Sequence, residues 1–453
     1  LDCRAGEEHT LSEKEEALLA KASQMSTVPD EVFSKFNNAD VKFGKVKREN
    51  GQEDELTNGN FATFMESQDR AVRKAAFEAL YKQYGAYINT IAAAFYGNVK
   101  QAMFYADARG YKSTLNMYLD GSFIPENVYK NLIKTVNDNL DKMYCYVDIR
   151  KKALGVDELH FYDIYAPMVE DIDWKISYDE AKDIVVKALA PMGEEYVSHI
   201  KEGFNNGWVD VYENTGKRSG AFSWGAYGTH PYVFLNYSDT LNDVFTVIHE
   251  MGHAMHTYYS NANQPYIYAG YKIFVAEVAS TCNEAILMQY MLKNTDDEKK
   301  KRYLLNHFFE QFKGTLYRQT MFAEFEMEAH AKAEHGEVLS AESLCAMYKK
   351  LNEKYFGPDM VIDDEIALEW ARIPHFYTPF YVYQYATGYS AAIAISTKIL
   401  AGDEQVIAGY RKFLSGGSSM HPIELLKLCG IDMTRPDVVQ EALDVFGELL
   451  KQW

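Results

Sequence analysis

The residues of this chain best placed to do chemistry are two histidines and a glutamate in the run His249-Glu250-Met251-Gly252-His253. In a helix, positions four apart stack on one face, so His249 and His253 can each aim a ring nitrogen at a single ion. Glu250 then stands beside that ion, placed to take a proton from activated water rather than to ligate. The pattern predicts a hydrolytic metal site with one coordination position left open.

Such a site needs a third protein ligand. A third histidine ten residues after the first is excluded, because position 259 is tyrosine. His256 falls one turn past the ion and reads as a packing or outer partner. Glu277 and Glu284 remain, seven residues apart and therefore on one face of the next helical stretch. Glu277 is flanked by Val275, Ala276, Val278 and Ala279, where a lone carboxylate is costly to bury unless it meets a cation. That favours Glu277 as the ligand and Glu284 as the partner that orients a histidine. Two histidines and a carboxylate favour Zn2+, one per chain.

These residues require helices to hold them, and helical signals dominate. Val244, Val247, Ile248 and Met251 give the histidine helix a buried side. Ser12 with Glu15 and Ser177 with Glu180 form capping-box patterns. The stretch 126–154 reads as one long helix, entered through Pro125 and closed by Gly155. Further helical stretches are expected at 61–105, 178–204, 240–259, 272–292, 298–335, 341–354, 379–400 and 436–451. The fold class is therefore mainly α, with a helical N-terminal part over 1–205 and a catalytic part over 206–453.

One region breaks the pattern. Between Trp208 and Tyr237 lie three short β-type runs, at 209–212, 221–224 and 232–235, punctuated by Gly220, Gly225 and Gly228. A small sheet directly before the histidine helix is expected. An extended peptide could add to its edge, with Gly225, Ala226, Tyr227 and Gly228 in contact and the glycines permitting close backbone approach. A second unusual run follows Pro374: His375, Tyr377, Tyr381 and Tyr383 within a dense aromatic stretch. On residue types alone it either packs a helix start or supplies hydrogen-bond donors.

Composition sets the outer bounds. The 453 residues are 47% hydrophobic and 25% charged, enough for a large buried core. A net charge of −19 argues against nucleic-acid partners, which want a basic stripe. No apolar run is long enough to span a membrane, and residues 1–10 do not read as a signal peptide. Five scattered cysteines without a C-x-x-C pair suggest a reducing, cytoplasmic setting. Nothing in the pattern specifies an oligomeric state.

Taken together, His249-Glu-x-Gly-His-x-x-His256, Phe274-Val-Ala-Glu-Val-Ala-Ser280 and Glu284 resemble the oligoendopeptidase F branch of the thimet-oligopeptidase-like (M3) metallopeptidases. The similarity extends to Arg218-Ser-Gly-Ala-Phe222, Gly225-Ala-Tyr-Gly-Thr229 and the stretch from Arg372 to Tyr383. It implies a two-lobed helical body with a deep channel, a metal on the channel floor, and short unfolded peptides as substrates. It makes Glu277 the third ligand. It also sets His375, Tyr381 and Tyr383 over the metal as donors to the reaction intermediate, with Tyr377 behind them. Relatives carry a further helical region upstream of Leu1, so part of a channel wall is expected to lie outside this sequence. Two other readings stay open on sequence: a metallocarboxypeptidase on a related scaffold, with Arg218 or Arg372 receiving a peptide terminus, and a zinc-bearing peptide-binding protein without turnover.

Overall fold

The computed structural model describes residues 7–170, 172 and 174–453. Helices carry almost all of the order, and no strand among the described residues exceeds three residues. Both capping boxes form. The Ser12 N–H bonds Glu15 at 3.0 Å, and the Ser177 N–H bonds Glu180 at 2.8 Å. The core is continuous, from Phe33 near one end of the chain to Leu450 near the other.

The expected helix over 126–154 is two helices, Glu126–Asn137 and Leu140–Leu154. The break sits at Asn139 and has a tertiary cause. The Asn139 side-chain amide donates to the Thr135 carbonyl at 2.8 Å and exchanges bonds with the Gln440 amide at 2.8 and 3.0 Å. The Asn139 carbonyl accepts from the Tyr317 hydroxyl at 3.0 Å. Partners far away in sequence thus satisfy the polar groups that a continuous helix would have used. Gly155 does close the second helix, in the left-handed conformation at φ 63°. Similarly, the stretch expected at 298–335 winds as Glu298–Gln311 and Arg318–Glu334 around a π-helical segment, Phe312–Tyr317.

A buried ion cluster ties the N-terminal half together. The Asp163 carboxylate accepts from Arg70 and from Arg73, each at 2.8 Å, and is fully buried. Burial works to raise its pKa, but the bonds from Arg70, Arg73 and the His160 N–H outweigh it and hold the group below its ordinary 3.8. Arg150 grips the same segment through the carbonyls of Asp163 and Ala166, at 3.0 and 2.6 Å. A short parallel ladder, Leu159–His160 with Met360–Val361, joins this segment to the C-terminal half.

The small sheet forms where expected, and its order is mixed. Tyr232–Phe234 lies in the middle, parallel to Val209–Asp210 and antiparallel to Phe222–Trp224. Phe222–Trp224 is therefore an edge strand, and Trp224 is 73% exposed. Gly225 follows it because a Cβ there would stand 2.7 Å from the Thr257 methyl of the histidine helix.

The decisive packing is between the histidine helix, Leu241–Asn263, and the glutamate helix, Ile273–Lys293. At their crossing a Cβ on Gly252 would lie 2.6 Å from the Ser280 Cα and 2.8 Å from the Ala279 carbonyl. Both neighbours are backbone, so relief requires the helices to separate. Gly252→Ala is expected to destabilise the protein by about 1–3 kcal/mol, seen as a lower urea midpoint at unchanged m-value. A midpoint equal to wild type would show that the crossing is looser than drawn. Asp163→Ala, which strands two buried or half-buried guanidinium groups, is expected to cost about 3–5 kcal/mol. Because the folded pKa of Asp163 is depressed, its contribution is present above pH 3.8 and is lost as pH falls through the folded value. Acid unfolding followed by circular dichroism should therefore be shallower below pH 3.8 in the variant.

Candidate metal centre

The histidine helix starts in a capping box. The Thr240 hydroxyl accepts from the Asp243 N–H at 3.2 Å, and the Thr240 N–H bonds the Asp243 carboxylate at 2.9 Å. Val244, Val247, Ile248, Met251, Ala254 and Met255 are its buried face. The opposite side of the same turns presents His249 and His253, both only partly buried. The glutamate helix brings Glu277 to them, and the side chain of its Asn283 donates to the Ile248 carbonyl at 3.4 Å.

The three ligand atoms form a triangle. His249 Nε2 and His253 Nε2 are 3.2 Å apart, and Glu277 Oε2 lies 3.6 and 3.5 Å from them. A tetrahedral metal with bonds of about 2.0–2.1 Å has ligand edges of roughly 3.3–3.4 Å, so this triangle suits one zinc-sized ion. The His253 interaction, opposed by burial, draws the Glu277 carboxyl down to about 2, so it is anionic and able to ligate.

Glu284 sets the tautomer. Its Oε1 lies 2.5 Å from His249 Nδ1, and its Oε2 accepts from the Gln311 amide at 2.9 Å. A carboxylate can only accept, so the His249 proton sits on Nδ1 and the Nε2 lone pair faces the triangle. Burial lowers the His249 pKa, but the Glu284 bond overrides this and raises it above its ordinary value. Glu250 is 7% exposed, its Oε2 has no hydrogen-bond partner among the described residues, and burial raises its pKa. His256 is not one of the three converging residues. Its ring lies flat on Tyr271 with centroids 3.7 Å apart, and burial lowers its pKa to about 3.

The aromatic stretch divides into two sets. His375 and Tyr381 stack with centroids 6.0 Å apart, and Tyr385 stands edge-on to both, at 6.0 and 5.5 Å. The Tyr385 hydroxyl is raised in pKa by burial first, then by Tyr381 and by the Glu277 charge. Tyr383 is placed differently. It is 2% exposed, packs against Tyr129 and Phe274 at 5.0 and 6.1 Å, and feels burial alone. Tyr377 is likewise in the core, its ring on Phe33 at 4.5 Å. Tyr383 and Tyr377, expected beside substrate, are thus core residues, and Tyr385, which sequence reading did not single out, is the tyrosine that joins His375 and Tyr381.

The reason is helical phase. The cover helix is Tyr383–Leu400, and within it residues two apart point about 200° apart. Tyr385 and Tyr383 cannot share a target. Tyr389, four after Tyr385, shares its side and feels the Glu284 charge. That spacing is the sequence signal that would have found Tyr385, once the helix start is known.

Gly225, Ala226, Tyr227 and Gly228 form the turn after the edge strand. Gly228 has φ 86°, and the exposed Tyr227 is anchored by a 3.0 Å hydroxyl bond to the Gln264 carbonyl beyond the histidine helix. They directly follow the edge strand, and Gly225 packs on the histidine helix at Thr257.

With this geometry in place, comparison with known proteins is informative. Residues 63–445 match the family model for Peptidase family M3, and residues 2–43 match that for Oligopeptidase F. The chain is 53% identical over 444 residues to oligopeptidase PepF of Bacillus subtilis, covering 98% of this chain and 66% of that protein. It is 43% identical to an oligoendopeptidase F homolog of Lactococcus lactis, covering 98% of this chain and 74% of that protein. A crystal structure of oligoendopeptidase-F from Enterococcus faecium superposes with TM-score 0.84 at 37% identity, over 98% of this chain and 74% of that one. A Chlamydophila abortus crystal structure does so with TM-score 0.94 at 39% identity, over 98% and 75%. A matched region spanning most of the chain, two relatives above 40% identity and the His–His–Glu triangle agree: the chain belongs to peptidase family M3.

Proposed function

We propose that the protein is a zinc metalloendopeptidase that hydrolyses internal bonds of short, unfolded peptides. The observation that carries this reading is the triangle of His249, His253 and Glu277 with an unpartnered carboxylate oxygen of Glu250 beside it. A purely structural zinc site is usually closed by a fourth protein ligand, and among the described residues only three converge here. Bound there, zinc supplies Lewis acidity, lowering the pKa of water toward ~7 and polarising the scissile carbonyl.

The chain's own groups carry the proton and the charge. Glu250 accepts the proton of the attacking water and returns it to the departing amine, a role that needs a free, positioned oxygen. Tyr385 and Tyr381 donate to the oxyanion; burial keeps the Tyr385 hydroxyl protonated at neutral pH, so it remains a donor. His375, exposed and lowered in pKa by burial of part of its ring, is a neutral donor on the same wall. The free edge of Phe222–Trp224 pairs with an extended peptide by main-chain bonds, which tolerates many sequences. Cys145, Cys282, Cys345 and Cys429 are unpaired, in keeping with a cytoplasmic setting, and no helix among the described residues is long and apolar enough to cross a membrane.

Hydrolysis of an end-blocked, internally quenched peptide should be abolished by chelator and restored by zinc. Glu250→Gln should bind one zinc per chain and lose about 10²–10⁴-fold in kcat. Cleavage that survives chelation, or that survives in Glu250→Gln, would overturn the assignment. Glu284→Gln should weaken zinc binding by about 10–100-fold in a competition titration with a chromogenic chelator, because the His249 tautomer is no longer fixed by a carboxylate. Unaltered affinity would show that Glu284 does not orient the ligand.

A further inference from the structure

A cavity of about 910 Å³ has His375 in its wall. His307 also lines it, and that ring stacks on Phe245 of the histidine helix at 4.7 Å. Its volume suits a ligand of several peptide residues. The sign of its charge is unexpected. The chain as a whole is at −19, yet Arg150, Lys313, Arg318 and Arg372 all line this one space.

The carboxylates around it do not balance these cations. Glu310 serves two of them, Arg150 at 2.6 Å and Lys313. Arg318 is paired with Glu369 at 2.5 Å. Arg372 meets the Tyr81 hydroxyl and the Phe61 ring, 4.8 Å away, and feels the charge of the Glu369 that Arg318 engages, but no carboxylate among the described residues forms an ion pair with it. Glu66, the remaining acid of the wall, stands near enough to Glu310 that burial and this like charge raise its pKa against the pull of Lys313. The positive potential is felt within the wall: burial, with Arg150 and Arg318, brings Lys313 down to about 8 despite its bond to Glu310. The π-helical segment Phe312–Tyr317 carries Lys313 and Gly314 into this wall, and Gln311 just before it bonds Glu284 behind His249. One continuous helical stretch, 298–334, therefore carries Lys313 and Arg318 of the wall together with the Gln311 that holds Glu284.

An excess of buried cation is costly unless an anion meets it, and a guanidinium receives a carboxylate through two parallel bonds. We propose that the wall formed by Lys313, Arg318 and Arg372 is a subsite for the C-terminal carboxylate of the peptide substrate. The inference rests on the peptide-hydrolase reading and adds to it a measure of length. A peptide anchored by its terminus at this wall presents to Glu250 a bond set by the intervening distance, and a chain that runs on past the cavity loses the anchor.

The test uses three labelled peptides of one sequence: a free C-terminal acid, the C-terminal amide, and the amide ending in aspartate. Affinities are read by fluorescence anisotropy with zinc-loaded Glu250→Gln protein, which does not consume them, and KM and kcat are measured with wild type. The acid is expected to bind at least tenfold more tightly than the amide, with the difference in KM rather than kcat, and the aspartyl amide is expected not to recover it. In Arg372→Gln the acid-to-amide ratio should fall toward one, and in Arg372→Lys it should be partly kept. Equal binding of acid and amide, or none measurable for either, overturns the proposal, and needs no variant at Arg372 to be seen. Full recovery by the aspartyl amide overturns the assignment to the peptide terminus. Loss of turnover with the acid preference intact would instead overturn the peptidase reading and leave this one standing.

Discussion

Two helices must cross closely enough for a carboxylate on one to reach two imidazoles on the other, and the rest of the structure follows from that requirement. The crossing point is Gly252, where any side chain would enter the backbone at Ser280. Around it the cost of assembling titratable groups is met by partners rather than by water. Glu284 holds His249, Gln311 holds Glu284, and Asn283 ties the glutamate helix to the Ile248 carbonyl while accepting from Tyr196 at 3.1 Å. Each bond removes a freedom that the ligands would otherwise lose on binding an ion.

The same constraint gives the distant parts of the chain their roles. The cover helix packs along the glutamate helix, and this contact is what brings Tyr385 to the Glu277 side and sends Tyr383 into the core. The segment 163–166, fixed by Asp163 and Arg150, forms one wall of the cavity against the π-helical turn after Gln311. The N-terminal half therefore contributes to this cavity through Arg150 and Tyr165 while lying far from His249, His253 and Glu277 in sequence.

How much of this was legible in the sequence depended on the range over which each feature is determined. His249, His253, Glu277 and Glu284 could be placed from helical spacing, because each pair is fixed within a single helix; the apolar flanks of Glu277 overstate its burial, since its side chain is 44% exposed. The capping boxes were legible for the same reason. The break at Asn139 was not, since its partners Tyr317 and Gln440 are brought in only by the fold. Tyr383 and Tyr385 differ by two positions, and which one joins His375 and Tyr381 rather than the core depends on the residue at which the cover helix begins, a boundary that the aromatic run does not mark. Arg150, Lys313, Arg318 and Arg372 are ordinary as sequence, and only the tertiary structure lines one space with all four.

The last of these cases bears on how an acidic protein can handle peptides at all. A net charge of −19 attracts cationic ends and side chains at long range and repels a terminal carboxylate. That field is screened within about 8–10 Å at physiological salt, whereas charges in a walled cavity are screened much less. On the proposed reading, exterior and interior act on opposite ends of one substrate, the surface drawing in the ammonium end and the cavity receiving the carboxylate. Such a division would orient the peptide before any side chain is read, and would leave sequence tolerance to the proposed main-chain bonds of the Phe222–Trp224 edge. Selectivity by length and direction, with little selectivity by side chain, would then follow from an excess of guanidinium inside a molecule that is negative outside.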